Sequence, residues 1–302
     1  MYGYSNNSLA GFLATFSSIC VWVALVVYYT FLPELSPITI TAYRVLWSFI
    51  FISALVTITK QWPAVLAIFK SRRDFFLLIL CGFLIGANWL AFILAIKAEK
   101  ALEASLGAYL NPMLGIAAAL FIFKEAVSFL KTVAMILSVL GVAYLIFIYG
   151  SIPWYALGIS IPFMFYGAVH KILKVSTLDG FFFEMLVLIL PAVLYLIFAP
   201  EVVPFFQESV PMMFMIMMLG PASALSLVGF AYGIQRLMFS TVSIIQYLYP
   251  SMTFLLGLLY FNEPLSGRLP SFLLIWAGVF IYLTDILLKA VTAKRRLASL
   301  QG

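Results

Sequence analysis

Arg44 is the one charged residue in an apolar run from Pro37 to Ile58. A guanidinium offers a planar fork of donors that matches a carboxylate or a phosphate. The same fork can serve structure, by bonding backbone carbonyls or a fixed carboxylate, and the sequence leaves both readings open. Glu184 lies in a second apolar run, 180–200. A carboxyl group there can take up and release a proton, which makes Glu184 the candidate for proton coupling. Its structural alternative is a partner for Lys171 or Lys174. Asn88 and Trp89 form a polar–aromatic pair. Tyr109 and Asn111 precede Pro112, and Gln246 and Tyr247 precede Pro250, each within about one turn. A proline lacks the backbone donor and frees a carbonyl one turn earlier, so polar backbone accompanies these side chains. Trp154 and Tyr166 add aromatic surface, with interfacial anchoring and plain packing as their structural readings. Together, Arg44, Asn88, Trp89, Tyr109, Asn111, Trp154, Tyr166, Gln246 and Tyr247 are the candidates for binding a small organic solute. That solute would be carboxylate-bearing and amino-acid-like.

The same inventory speaks against other chemistries. There is a single histidine, His170, and the two cysteines, Cys20 and Cys81, show no CxxC spacing. No metal site, disulfide framework or cofactor is expected from them. No HExxH, clustered Asp or GxxxxGK[ST] loop occurs. An enzyme needs a convergent acid–base or metal constellation, and a channel a repeated filter. Neither pattern is visible.

These residues need elements that hold them in lipid. Of 302 residues, 65% are hydrophobic and 9% charged, against about 25% charged in soluble domains. Mean hydropathy is +1.14. A bilayer span takes about 20 apolar residues, and ten spans are expected: 8–30, 37–59, 74–97, 102–123, 127–149, 153–172, 178–199, 211–235, 240–261 and 267–289. Thirteen of the 17 Lys and Arg fall on the face that carries both termini, three fall on the other, and Arg44 is the remainder. The positive-inside rule therefore puts both termini in the cytoplasm. The net charge of +6 suits anionic headgroups and requires no nucleic acid. The stretch 61–73, with Trp62, Leu66 and Phe69 among basic residues, reads as an interfacial segment.

A shift of 138 residues lays 104–145 over 242–283 without a gap. It pairs Ser105 with Ser243, Tyr109 with Tyr247, Pro112 with Pro250, Glu125 with Glu263, Ser128 with Ser266 and Tyr144 with Tyr282. A shift of 140 sets Ser36 on Ser176 and Arg44 on Glu184. Two units of five spans, 1–150 and 151–302, follow. An odd span count turns the second unit upside down, which is the inverted-repeat plan of many secondary transporters. Glu125 and Glu263, at opposite faces, are expected to close each half, and Gly82 with Gly86 to let helices pack closely.

The sequence resembles the ten-helix EamA branch of the drug/metabolite transporter superfamily, nearest its RarD-type members. The resemblance rests on "RVLWS" (44–48), "NW" (88–89), "EASLGAYLNP" (103–112), "PW" (153–154), "YGAVHK" (166–171), Glu184 with Pro191, "QYLYP" (246–250) and "NEP" (262–264). It implies an all-α protein with a central cavity between the halves and export of a metabolite or drug across the bacterial cytoplasmic (inner) membrane. Departures include no Gly and Pro soon after Trp22, Thr39 in place of an acid, Ala108 in place of an aromatic, Ser226 in place of a proline and His170 in place of an arginine. The expected function is alternating-access transport of a small organic metabolite or drug by export or exchange, with proton coupling open. Nutrient import by exchange is the alternative, and the protein is a monomer or dimer among membrane lipids.

Overall fold

The computed structural model of the chain describes residues 6–29, 31–32, 35–98, 101–126, 128–150, 152–199, 205–259 and 269–301. These residues are helical and contain no strand. The helices are α1 (Asn6–Tyr29), α2 (Pro37–Ile58), α3 (Trp62–Ile68), α4 (Arg72–Lys97), α5 (Ala101–Phe121), α6 (Phe129–Tyr149), α7 (Trp154–Ile172), α8 (Thr177–Phe198), α9 (Val210–Arg236), α10 (Phe239–Gln246), α11 (Leu248–Leu259) and α12 (Leu269–Gln301). Among the described residues six, α1, α2, α4, α6, α8 and α9, are long and apolar enough to cross a membrane. Shorter apolar stretches cover 106–121 and 269–285.

Local chemistry starts and stops these helices. The Ser36 hydroxyl accepts from Thr39 N at 3.1 Å ahead of Pro37. This satisfies one of the free donors of the first turn, at a position where proline costs no hydrogen bond. α6 ends at Gly150, whose φ of 76° is left-handed and suits a residue without Cβ. Hydroxyls within the apolar helices bond back one turn, as Thr15 does to the Gly11 carbonyl and Ser138 to that of Ala134, both at 2.9 Å. Their polarity is thus met inside the helix.

Two expected elements differ. The segment 240–261 is broken at Tyr247, into α10 and α11. Pro250 has no N–H to return to the Gln246 carbonyl, and Tyr247 N turns to Ile244 O at 3.1 Å. The last helix runs on to Gln301 rather than ending near 289. Its later part is rich in Ala, Leu, Lys and Arg, which favour helix without being apolar.

Helices pair across the chain. α6 packs on α12, α1 on α9, α5 on α7 and α10, α2 on α8 and α9, and α4 on α7 and α8. Small residues allow the closest approaches. Gly278 of α12 faces the Ala134 carbonyl, which a Cβ would meet at 2.6 Å. Gly82 and Gly86 of α4 receive Val187 and Leu188 of α8, the close packing that their spacing suggested. In α3, Val65 and Ile68 are buried while Trp62 and Leu66 are exposed, as is Phe69 at its end.

Candidate functional site

A cavity of about 430 Å³ lies among α1, α2, α4, α5, α7, α9, α10 and α11. It sits toward the end of the bundle where α1 finishes and α2 begins. Five of the residues singled out in the sequence line it: Arg44, Asn88, Trp89, Asn111 and Gln246. Four lie elsewhere. Tyr109 and Tyr247 are buried together in an apolar cluster with Phe272 and Tyr282, and Tyr109 Oη donates to the Pro250 carbonyl at 3.3 Å. Trp154 is 70% exposed on the outside of the bundle. Tyr166 is fully buried, one ring away from the cavity.

Helix geometry explains the division. Successive residues are about 100° apart around a helix axis. With Asn111 and Gln246 turned inward, Tyr109 and Tyr247 are carried to another face. Residues three away share the inward face: Thr41 with Arg44, Ile85 with Asn88, Phe92 with Trp89, Ala108 with Asn111 and Tyr249 with Gln246 all line the cavity. That spacing is the signal by which sequence could have found them. Trp22 and Phe163, also in the wall, had no polar neighbour to mark them. Pro112 and Pro250 cannot return a hydrogen bond to the carbonyls of Ala108 and Gln246, and both of those residues line the cavity.

Among the described residues Arg44 bonds neither a backbone carbonyl nor a carboxylate. Its Nε donates to Ser223 Oγ at 3.0 Å, and its guanidinium stands 4.4 Å over the Trp89 ring. Among the described residues no carboxylate pairs with it, the ion pairs being Arg73–Asp74 and His170–Glu184. Asn88 Nδ2 donates to the Ile159 carbonyl at 2.7 Å, tying α4 to α7. Asn111 Oδ1 is buried with no partner.

Glu184 forms a second polar centre. It is fully buried, as is His170 at 1% exposure. His170 Nε2 lies 2.7 Å from Glu184 Oε1, and Tyr166 Oη donates to Oε2 at 3.1 Å. The partner is thus His170, and not Lys171 or Lys174. Lys171 Nζ instead donates to the carbonyls of Ile234, at 3.1 Å, and Leu237. Cys81 joins this centre, so that ligand-type atoms of Cys81, His170 and Glu184 lie within 4.8 Å of one another. Sequence spacing gave no hint of that convergence, because the three residues come from α4, α7 and α8. His170 and Tyr166 thus meet both oxygens of the Glu184 carboxyl group, so that it is not left without hydrogen-bond partners in the interior.

At the end of the bundle away from the cavity, Glu125 caps α10. Its carboxylate accepts from Phe239 N at 2.6 Å, Ser240 N at 3.0 Å and Ser240 Oγ at 2.7 Å. A carboxylate on free N–H groups also meets the positive end of the helix dipole. Glu263, its counterpart in the repeat, lies outside the described residues.

The EamA-like transporter family matches residues 8–147. A Vibrio cholerae protein described as an uncharacterized transporter is 32% identical over 295 residues, covering 96% of this chain and 97% of its own length. Protein RarD of Salmonella typhi is 31% identical over 284 residues, covering 93% of this chain and 97% of that protein. One solved crystal structure superposes with a TM-score of 0.71 at 19% identity, over 92% of this chain and 98% of its own, which is a likeness of fold. An all-helical bundle around a cavity, with identity at this level along nearly its whole length, makes the chain a RarD-like multi-pass membrane transporter that belongs to the EamA-like transporter family.

Proposed function

We propose that the chain is a secondary active transporter that carries a small organic metabolite or drug across the bacterial cytoplasmic membrane by alternating access. The reading takes 1–150 and 151–302 as inverted repeats of five spans each, with both termini in the cytoplasm, and export or exchange as the direction. It needs no enzymatic step and no cofactor. The observation that carries it is the cavity itself. It draws on helices from both halves, contains a cation without a carboxylate partner among the described residues, and is flanked by the equivalent prolines Pro112 and Pro250. Helix pairing gives further support. Exchanging the halves turns the α1–α9 contact into α7–α4, while α2–α8, α6–α12 and α5–α10 each map onto themselves. Only the second of the two proline segments is parted, at Tyr247, while α5 runs unbroken past Pro112; a broken helix near such an interface is a pointer to a transporter's binding site. Proton coupling is assigned to Glu184, a buried carboxyl one ring beyond the cavity wall. Intramembrane ionisable groups of this kind mark ion pathways.

Counterflow in proteoliposomes tests the proposal. Vesicles loaded with unlabelled solute should take up labelled solute saturably, faster with a pH gradient, and Glu184→Gln should abolish only the gradient effect. Flux that rises linearly with concentration would leave a channel instead.

A further inference from the structure

We infer that the cavity selects organic monoanions: a carboxylate on an aromatic or aliphatic body, whose second polar group is an uncharged donor such as a hydroxyl. Zwitterions and cations of the same shape are disfavoured, so the occupant keeps the carboxylate expected from the sequence but not the amino-acid-like ammonium group. This rests on the cavity being the solute site proposed above.

The argument begins with how Arg44 is held. Ser223 occupies Nε from the side and Trp89 supports the face of the guanidinium. Among the described residues nothing else bonds the two terminal amino groups, which face whatever enters the cavity that Arg44 lines. A parallel pair of N–H donors matches the two oxygens of a carboxylate. Arg44 is also the only charged residue among the described residues that line the cavity. A monoanion therefore brings the site to neutrality, a zwitterion leaves one positive charge and a cation leaves two. Where an occupant displaces the water around Arg44, an uncompensated charge is penalised.

A second polar atom adds a demand on the ligand. Asn111 Oδ1 is buried, unpartnered and on a residue of the cavity wall. It can only accept, so an occupant relieves it by donating. The carbonyls of Ala108 and Gln246, released by their prolines, accept in the same way. An uncharged donor satisfies these acceptors without undoing the charge balance set by Arg44. Trp22, Phe92, Phe163 and Leu227 give the wall aromatic and apolar surface for the body of the ligand. The volume of about 430 Å³ falls at the small end of ligand pockets.

The test uses four ligands of one shape on the purified full-length protein in nanodiscs: 3-phenyllactate, 3-phenylpropionate, phenylalanine and phenethylamine, with affinities read by calorimetry. Phenyllactate should bind about tenfold more tightly than phenylalanine, which is one factor of ten in Kd. Phenylpropionate should fall between these two and phenethylamine should be weakest. Arg44→Gln should erase the ranking. Ser223→Ala, which leaves the charge but loosens its orientation, should reduce the gap between phenyllactate and phenylalanine. Equal or tighter binding of phenylalanine or phenethylamine, a ranking unchanged in Arg44→Gln, or no binding by any of the four would overturn the inference. The transport reading fails separately. The expected ranking without saturable phenyllactate counterflow sinks transport and keeps the selectivity, whereas counterflow of phenylalanine but not phenyllactate does the reverse.

Discussion

Among individual residues, the buried ones with an unusual partner lend themselves to the clearest tests. The His170–Glu184 contact at 2.7 Å joins two side chains with almost no exposure. Removing His170 leaves Glu184 Oε1 without that partner and only the Tyr166 hydroxyl on Oε2, and His170→Ala should destabilise the protein by about 1–3 kcal/mol. A double change, His170→Phe with Glu184→Leu, should recover part of that loss. Denaturant unfolding in detergent measures both, and a single variant as stable as the parent would contradict the pairing. Tyr247 offers the opposite case. Its hydroxyl is buried without a partner, and an unsatisfied group of this kind costs about 1–3 kcal/mol. Tyr247→Phe should therefore raise the thermal midpoint and leave ligand affinity unchanged. Weakened binding in that variant would return Tyr247 to the solute site.

For the helices, packing distance sets tolerance. A Cβ on Gly220 of α9 would collide with the backbone of Trp47 in α2, whereas one on Gly158 of α7 would meet the Ala91 side chain at an ordinary 3.4 Å. Gly220→Ala should cost about 1–3 kcal/mol by overpacking. Gly158→Ala should be neutral or slightly stabilising, since alanine is the better helix former. Equal thermal midpoints for the two would refute the close α2–α9 contact. Much of this level was legible in the sequence: apolar length located most helix limits to within a few residues, the end of α12 excepted, and the spacing of Gly82 and Gly86 pointed to a close helix contact, which is made with α8. The split at Tyr247 was half legible, because Pro250 announced a freed carbonyl but not that the helix would part there. The site was less so. Residue types marked Arg44, Asn88, Trp89, Asn111 and Gln246, yet which face of each helix turns inward depends on its neighbours. Tyr109 and Tyr247, chosen for lying beside a proline, sit about 100° off that face. The cluster of Cys81, His170 and Glu184 joins three helices, and no local pattern records such a meeting.

In the molecule as a whole, the cavity lies toward one end and the Glu125 cap on α10 fastens the other. In the alternating-access cycle proposed above, opening that other end would require the cap to release Phe239 and Ser240. Glu125→Ala should shift the population toward the opposite-facing state by about 2 kcal/mol, the scale of hydrogen bonds to a charged group. Maleimide labelling of single cysteines near Ser240 should then speed up, and an unchanged rate would show that the cap is not a fastening. One ring is shared by two compartments. Phe163 forms part of the cavity wall and stacks on Tyr166 at a centroid distance of 6.0 Å, and the Tyr166 hydroxyl rests on Glu184. A guest that nudges this ring therefore leans, through a single slab of aromatic carbon, on the group holding the carboxylate. Arrival of cargo and departure of a proton would then be felt at opposite sides of the same few ångströms, with no need for a long relay.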